Sequence, residues 1–220
     1  MSLRVGEIVA QEAKFLGLAL SPSEVEAFEL YASELKKWNS KVNLTAITEN
    51  SEIAIKHFID SLSLVPYLSA GDRLLDIGSG AGLPVIPLKI VRPDISMLSV
   101  DAVAKKIHFQ KHVIRLLNLR NIEAVHMRIE ELHKKEHNSF TVITSRAFTR
   151  LDRFVALAAP LLAEGGVLVA MKGEQTGYEI SASEHSLQAS GFTVVSVQRY
   201  VLPKNMGERV LTFLRSSKAA

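Results

Sequence analysis

Arg73-Leu74-Leu75-Asp76-Ile77-Gly78-Ser79-Gly80-Ala81-Gly82 carries more structural information than any other stretch of this 220-residue chain. A short apolar strand ends on a carboxylate, three glycines follow at alternate positions, and an apolar helix pattern begins. Glycines at that spacing allow a tight turn and let a ligand approach without meeting a Cβ. The helix start beyond them offers free N–H groups. Strand, turn and helix together predict a nucleotide-type site in an α/β fold. A dinucleotide fold calls for G-x-G-x-x-G, whereas this turn reads G-x-G-x-G behind Asp76. A carboxylate there repels a pyrophosphate. It suits S-adenosylmethionine, which has no phosphate and carries a sulfonium and an ammonium. A dinucleotide site and a purely structural turn remain the alternatives.

Outward from the turn, the chain alternates. Strand-like runs fall at Leu74–Ile77, Ser96–Val100, Ile122–His126, Phe140–Thr144 and Val167–Met171. Helical runs lie at Leu83–Val91, Ala104–Leu117 and Leu151–Leu162, and a further helix near Ile180–Gln188. Strands separated by helices predict right-handed crossovers and a parallel sheet. Phe192–Leu202 and Arg209–Leu214 have no helix between them and should pair antiparallel. The expected fold is α/β: a Rossmann-like class I methyltransferase with a mostly parallel seven-stranded sheet whose last strand is antiparallel.

Upstream, the pattern is helical. Ser21-Pro22-Ser23-Glu24 reads as a cap, a first-turn proline and a capping glutamate. Val25, Phe28, Tyr31, Leu35 and Trp38 then mark one helix face, and Ile53, Ile55, Phe58, Ile59, Leu62 and Val65 mark another. Residues 1–70 are expected to form a helical cap and residues 71–220 the methyltransferase domain.

Composition narrows the classes. With 47% hydrophobic and 22% charged residues the chain resembles an ordinary globular protein. No apolar run is long enough for a membrane span, and no signal-peptide pattern opens the chain. Zero cysteines exclude disulfides, iron–sulfur clusters, thiolate zinc sites and a cysteine nucleophile. A cytoplasmic location fits. The formal charge of +3 permits an RNA partner without demanding one.

In open α/β sheets ligands sit beyond the carboxyl ends of the strands, and polar residues cluster there. Asp76 either orients the methionine end of the cofactor or bonds backbone N–H groups to hold the turn. Asp101, 21 residues beyond Gly80, either accepts from ribose hydroxyls or caps the next helix. Ile129 and Glu130 follow the third strand, where a backbone N–H can meet adenine and the carboxylate its amine; surface charges are the alternative. Arg146 ends the fourth strand beside the transferable methyl, with a planar fork for phosphate, guanine or carboxylate. Lys172 ends the fifth strand and either meets an RNA phosphate or is solvated. Lys105, Lys106, Lys111 and Arg115 read as a solvated helix face. His108 and His112 are four residues apart, but no carboxylate nearby in sequence completes a metal site.

Several strings occur together in order: Trp38-Asn39, Val42-Asn43-Leu44-Thr45, His57-Phe58-Ile59-Asp60-Ser61-Leu62, the glycine turn through Leu83-Pro84, Lys105-Lys106-x-x-Phe109, Arg128-Ile129-Glu130, Ser145-Arg146-Ala147 and Lys172-Gly173. From Trp38 to Gly173 the chain resembles the RsmG/GidB family of bacterial 16S rRNA guanine-N7 methyltransferases. Val85, Asp101 and Thr141 depart from the usual family pattern. The resemblance implies S-adenosylmethionine as cofactor, with contacts at Gly78, Leu83, Ile129, Glu130 and Arg146 beside those read for Asp76, Gly80, Gly82 and Asp101. It implies methylation of guanine 527 of 16S rRNA. Guanine N7 is already a lone-pair acceptor, so transfer needs neither metal nor obligatory general base, and Arg146 is assigned to positioning. The expected partner is 16S rRNA, the small subunit or an assembly intermediate, met by a monomer. Another RNA, protein or small-molecule substrate is an alternative, as is a non-catalytic RNA-binding module. His57 and Asp60, one helical turn apart, have either a substrate or hinge role or a buried mutual hydrogen bond that holds the cap.

Overall fold

The structure, a computed structural model, describes residues 3–146, 149–173 and 176–217. Ala147, which closes one of the strings above, lies outside them. The chain opens with helices α1 (Val5–Glu12) and α2 (Pro22–Val42). Ser21 caps α2 through the Glu24 amide, and Glu24 reaches back to the Ser21 N–H at 2.6 Å, the reciprocal arrangement expected from the sequence. Helix α3 covers residues 50–62, and its middle, Ile53–Ile59, is π-helical.

Seven strands follow: β1 (Arg73–Ile77), β2 (Ser96–Asp101), β3 (Ile122–His126), β4 (Phe140–Arg146), β5 (Leu162–Gly173), β6 (Phe192–Val201) and β7 (Glu208–Ser216). Between them lie helices α4 (Val85–Val91), α5 (Ala104–Leu116), α6 (Ile129–Leu132), α7 (Leu151–Ala158) and α8 (Thr176–Ala189). The strand order is β3-β2-β1-β4-β5-β7-β6. Pairing is parallel from β3 to β5, and β7 inserts antiparallel between β5 and β6. The order reverses at β1, so a crevice opens beyond the carboxyl ends of β1 and β4.

Side chains alternate across the sheet. Leu74, Val142 and Val169 join the apolar cluster that contains Val9, Phe28, Tyr31 and Phe58 of the N-terminal helices. Leu75, Ile143 and Leu168 face the other way, onto Phe154 and Val155 of α7. By the same alternation Asp76 points to the side covered by the N-terminal helices. Phe58 packs there between Phe28, tilted at 43° with centroids 5.2 Å apart, and Tyr31, stacked at 5.0 Å. Burying each such ring contributes roughly 2–3 kcal/mol.

Several boundaries differ from expectation. The helix expected to run to Leu162 ends at Ala158 and tightens into a 3₁₀ turn, because Pro160 lacks the N–H a continuing helix needs. Strand β5 therefore starts at Leu162, five residues before the run read from the sequence. Helix α4 starts at Val85, leaving Leu83 and Pro84 in the glycine turn. No helix among the described residues is long and apolar enough to cross a membrane.

Candidate active site at the carboxyl ends of the parallel strands

The glycine turn takes the backbone that only glycine adopts readily. Gly78, Gly80 and Gly82 have φ of 72°, 59° and 88°. A Cβ on Gly82 would lie 2.5 Å from Ile86 Cδ1, so this glycine lets α4 close on the turn. A Cβ on Gly80 would meet nothing within 4 Å, which leaves that face open to a ligand. The Val100 carbonyl anchors the turn by accepting from the Gly78 and Ser79 amides at 2.8 and 3.3 Å. Beneath it, Gln110 of α5 donates to Ser79 Oγ (2.8 Å) and to the Gly80 carbonyl (2.9 Å). The Ser79 and Ser99 hydroxyls are 2.6 Å apart, and Ser99 also donates to Gln110 Oε1. From the N-terminal side the Tyr31 hydroxyl donates to the Ala81 carbonyl at 2.6 Å. The bracing side chains Tyr31, Ser79, Ser99 and Gln110 are all buried. A loop held this way keeps its shape before any ligand arrives.

Asp76 is 0% exposed, and neither of its oxygens has a hydrogen-bond partner. Burial drives its pKa well above the ordinary carboxylate value, while Arg146 and the Val85 N–H pull the other way without satisfying it. Of the backbone groups that the turn-holding alternative calls for, the Val85 N–H alone bears on this carboxylate, and it leaves both oxygens unpartnered. Asp101 does hold the turn: Oδ2 accepts from the Gly80 amide at 2.9 Å, and Oδ1 accepts from Val103 N at 2.8 Å. It remains in the wall of the adjoining cleft, with Lys106 Nζ 3.8 Å from Oδ2.

That cleft, about 530 Å³, lies across the ends of β1, β2 and β4, within the size range of small-molecule sites. Gly78, Asp101, Ile129, Glu130 and Arg146 line it together. Gly80 and Gly82 form the turn behind it, and Leu83, 4% exposed, packs into the core.

Arg146 separates this cleft from a second pocket of about 320 Å³ and lines both. Its guanidinium donates to the Lys56 carbonyl at 3.1 Å and to Asp60 Oδ2 at 3.3 Å. The π-helical segment carries Lys56, and π-helical turns free carbonyls for such contacts. The His57 and Asp60 side chains do not bond each other as the sequence suggested; both face Arg146 instead. His57 Nδ1 lies 3.5 Å from Arg146 Nη2, and Nε2 lies 2.8 Å from Thr45 Oγ1. Burial, helped by the Arg146 charge, lowers the His57 pKa to about 4. The imidazole is therefore neutral at pH 7, and the cation opposite Nδ1 assigns the proton to Nε2. Asp60 Oδ1 accepts from Tyr200 at 3.1 Å and pairs with Arg209 at 3.4 Å. Lys172 lines the second pocket and is tied to Glu179 at 2.8 Å.

Several participants were not singled out from the sequence. Lys106 read as part of a solvated face but reaches Asp101; its place in the first turn after β2 was the available signal. Tyr31 and Gln110 carried only core and helix signals. Arg209 and Tyr200 arrive from β7 and β6, and nothing local in sequence announces that those strands return to Asp60. His112 pairs with Glu34 at 2.7 Å, not with His108. Thr141, a departure from the family pattern, sits far from the site and donates to Asp72 at 2.7 Å.

Comparisons with known proteins agree with one another. The family model described as rRNA small subunit methyltransferase G (GidB) matches residues 24–206. Ribosomal RNA small subunit methyltransferase G of Geobacter sulfurreducens is 47% identical over 211 residues, covering 96% of this chain and 97% of its own. The protein of that name from Lachnoclostridium phytofermentans is 38% identical over 220 residues, covering 98% and 91%. Among solved structures, precorrin-6y C5,15-methyltransferase from Geobacter metallireducens superposes with a TM-score of 0.57 at 14% identity, covering 78% of this chain and 90% of that one. M. jannaschii TYW2 in complex with AdoMet gives 0.57 at 14% identity, covering 72% and 76%. At these identities the structures speak for the fold.

Proposed function

This chain belongs to the GidB family, rRNA small subunit methyltransferase G, and from that premise we propose that it methylates N7 of guanine 527 in 16S rRNA, using S-adenosylmethionine. The observation that carries the reading is Asp76: a fully buried carboxylate without a partner, beside an open glycine turn. Such a group is costly unless a cation completes it. S-adenosylmethionine brings an ammonium and supplies an electrophilic methyl on a sulfonium. The residues present fit it.

In this reading Asp76 faces the ammonium, Asp101 the ribose, and Ile129 and Glu130 the adenine. Gly78, Gly80 and Gly82 keep the turn free of side chains, and Leu83 supports it from the core. Arg146 stands where the cleft meets the second pocket and orients the incoming guanine. Lys172 and His57 belong to the substrate side. Guanine N7 presents its lone pair without losing a proton, so the protein's task is alignment, and holding reactants in line contributes several kcal/mol. The neutral His57 is not asked to take a proton; it holds the Arg146 fork. Residues 1–70 act as a cap that brings Lys56, His57 and Asp60 over the transferase portion, residues 71–220. The protein works in the cytoplasm, as a monomer, on 16S rRNA or a particle containing it.

The test is incubation of the protein with S-adenosylmethionine and unmethylated small-subunit RNA or 30S particles, followed by chemical cleavage at 7-methylguanine. Cleavage at guanine 527 is the expected result. Methyl incorporation elsewhere, or into no RNA, would overturn the assignment.

A further inference from the structure

The second pocket has an unusual charge arrangement. Lys56, Arg146, Lys172 and Arg209 all line it. Lys56 pairs with Glu52, and Lys172 with Glu179. Arg146 and Arg209 share one carboxylate: Asp60 turns Oδ2 to the first and Oδ1 to the second. Among the described residues, four cations therefore meet three carboxylates, which leaves one surplus positive charge along the pocket wall. Asp60 is 4% exposed, and its Oδ1 also accepts from Tyr200, so it cannot swing to serve either arginine fully. His57 is neutral and adds no charge. The remaining wall is apolar, formed by Ile47 and Met171.

We propose that this pocket seats one backbone phosphate of the RNA substrate, gripped by Arg209 and Lys56 across Asp60, and so sets the register of the target nucleotide against the cofactor cleft. A phosphodiester carries the single negative charge the cluster lacks. Guanidinium forks match phosphate oxygens. Phosphate contacts position a nucleic acid without reading its sequence. Arg146, lining both cavities, ties this anchor to the reacting end. The inference rests on the rRNA reading above.

The experiment measures binding of an unmethylated small-subunit RNA transcript at several salt concentrations. Each phosphate contact to single-stranded RNA adds about 0.7 to the slope of log affinity against log salt. The variants are Arg209→Gln and Lys56→Gln, with Arg120→Gln as control, since exposed Arg120 precedes β3 at the opposite end of the sheet. S-adenosylhomocysteine binding reports that each variant is folded. A slope smaller by about 0.7 in either pocket variant, with Arg120→Gln unchanged, is expected. Asp60→Asn should tighten RNA binding several-fold while slowing methyl transfer, a pairing that a merely structural Asp60 would not produce. Unchanged slopes in both pocket variants, or an equal fall in Arg120→Gln, overturn the phosphate seat and leave the methyltransferase reading standing. If the wild-type protein shows no affinity for the transcript or for unmethylated 30S particles, that reading fails instead.

Discussion

Arg146 and Asp60 meet at 3.3 Å across the boundary between β4 and the segment that follows the π-helix. They are 86 residues apart in sequence, and the contact points the guanidinium between two cavities. Arg146→Ala is expected to lower the single-turnover rate by about 100-fold or more, the usual consequence of removing a preorganised electrostatic group. Stability should fall by only about 1–2 kcal/mol, because Asp60 keeps Tyr200 and Arg209. Arg146→Lys should rescue little, since an ammonium cannot serve Asp60, the Lys56 carbonyl and the cleft together. Wild-type turnover in Arg146→Ala would remove this residue from the mechanism.

Tyr31 braces the glycine turn from 50 residues away. Tyr31→Phe keeps the stacked ring but leaves the buried Ala81 carbonyl without its donor. The expected cost is about 1–3 kcal/mol in denaturant unfolding. S-adenosylhomocysteine affinity should weaken in parallel, because the loosened turn must be reordered on binding. Lost stability with unchanged affinity would show that the turn does not depend on this brace.

His57 makes stability depend on pH. Its pKa is about 4 in the folded chain against an ordinary 6.5, so the unfolded chain binds the proton first as pH falls. The stabilisation is complete above pH 6.5 and is lost progressively toward pH 4, with about 2 kcal/mol gone by pH 5. His57→Gln should flatten the difference in urea-unfolding free energy between pH 7 and pH 5. An equally steep loss in the variant would assign the effect to other groups.

Much of the frame was legible because it is written in local signals. Ser21-Pro22-Ser23-Glu24 names a helix start, and the alternation after Arg73 names parallel strands. The cleft's near wall was equally legible, since Gly78, Asp101, Ile129, Glu130 and Arg146 end strands or follow them, whereas Asp76 is buried behind the cleft and does not line it. What sequence does not carry is which distant groups meet. Asp76 and Asp101 look alike as strand-end carboxylates, yet only Asp101 finds amide partners. The His57–Asp60 spacing suggested a pair, but the π-helical turn directs both toward Arg146. Arg209 and Tyr200 reach Asp60 because β7 inserts between β5 and β6, a long-range choice that no local pattern encodes.

The most direct measurement is calorimetric titration of S-adenosylmethionine into the wild-type protein and Asp76→Asn, with thermal unfolding of both ligand-free forms. A buried carboxylate that waits for a cation predicts opposite changes. The amide should weaken binding about 10- to 100-fold, roughly 1.4–2.7 kcal/mol, while raising the melting temperature of the ligand-free protein, because a neutral amide avoids the cost of burying or protonating an unpartnered carboxylate. Unaltered affinity, or a ligand-free protein made less stable by the substitution, would contradict the role given to Asp76.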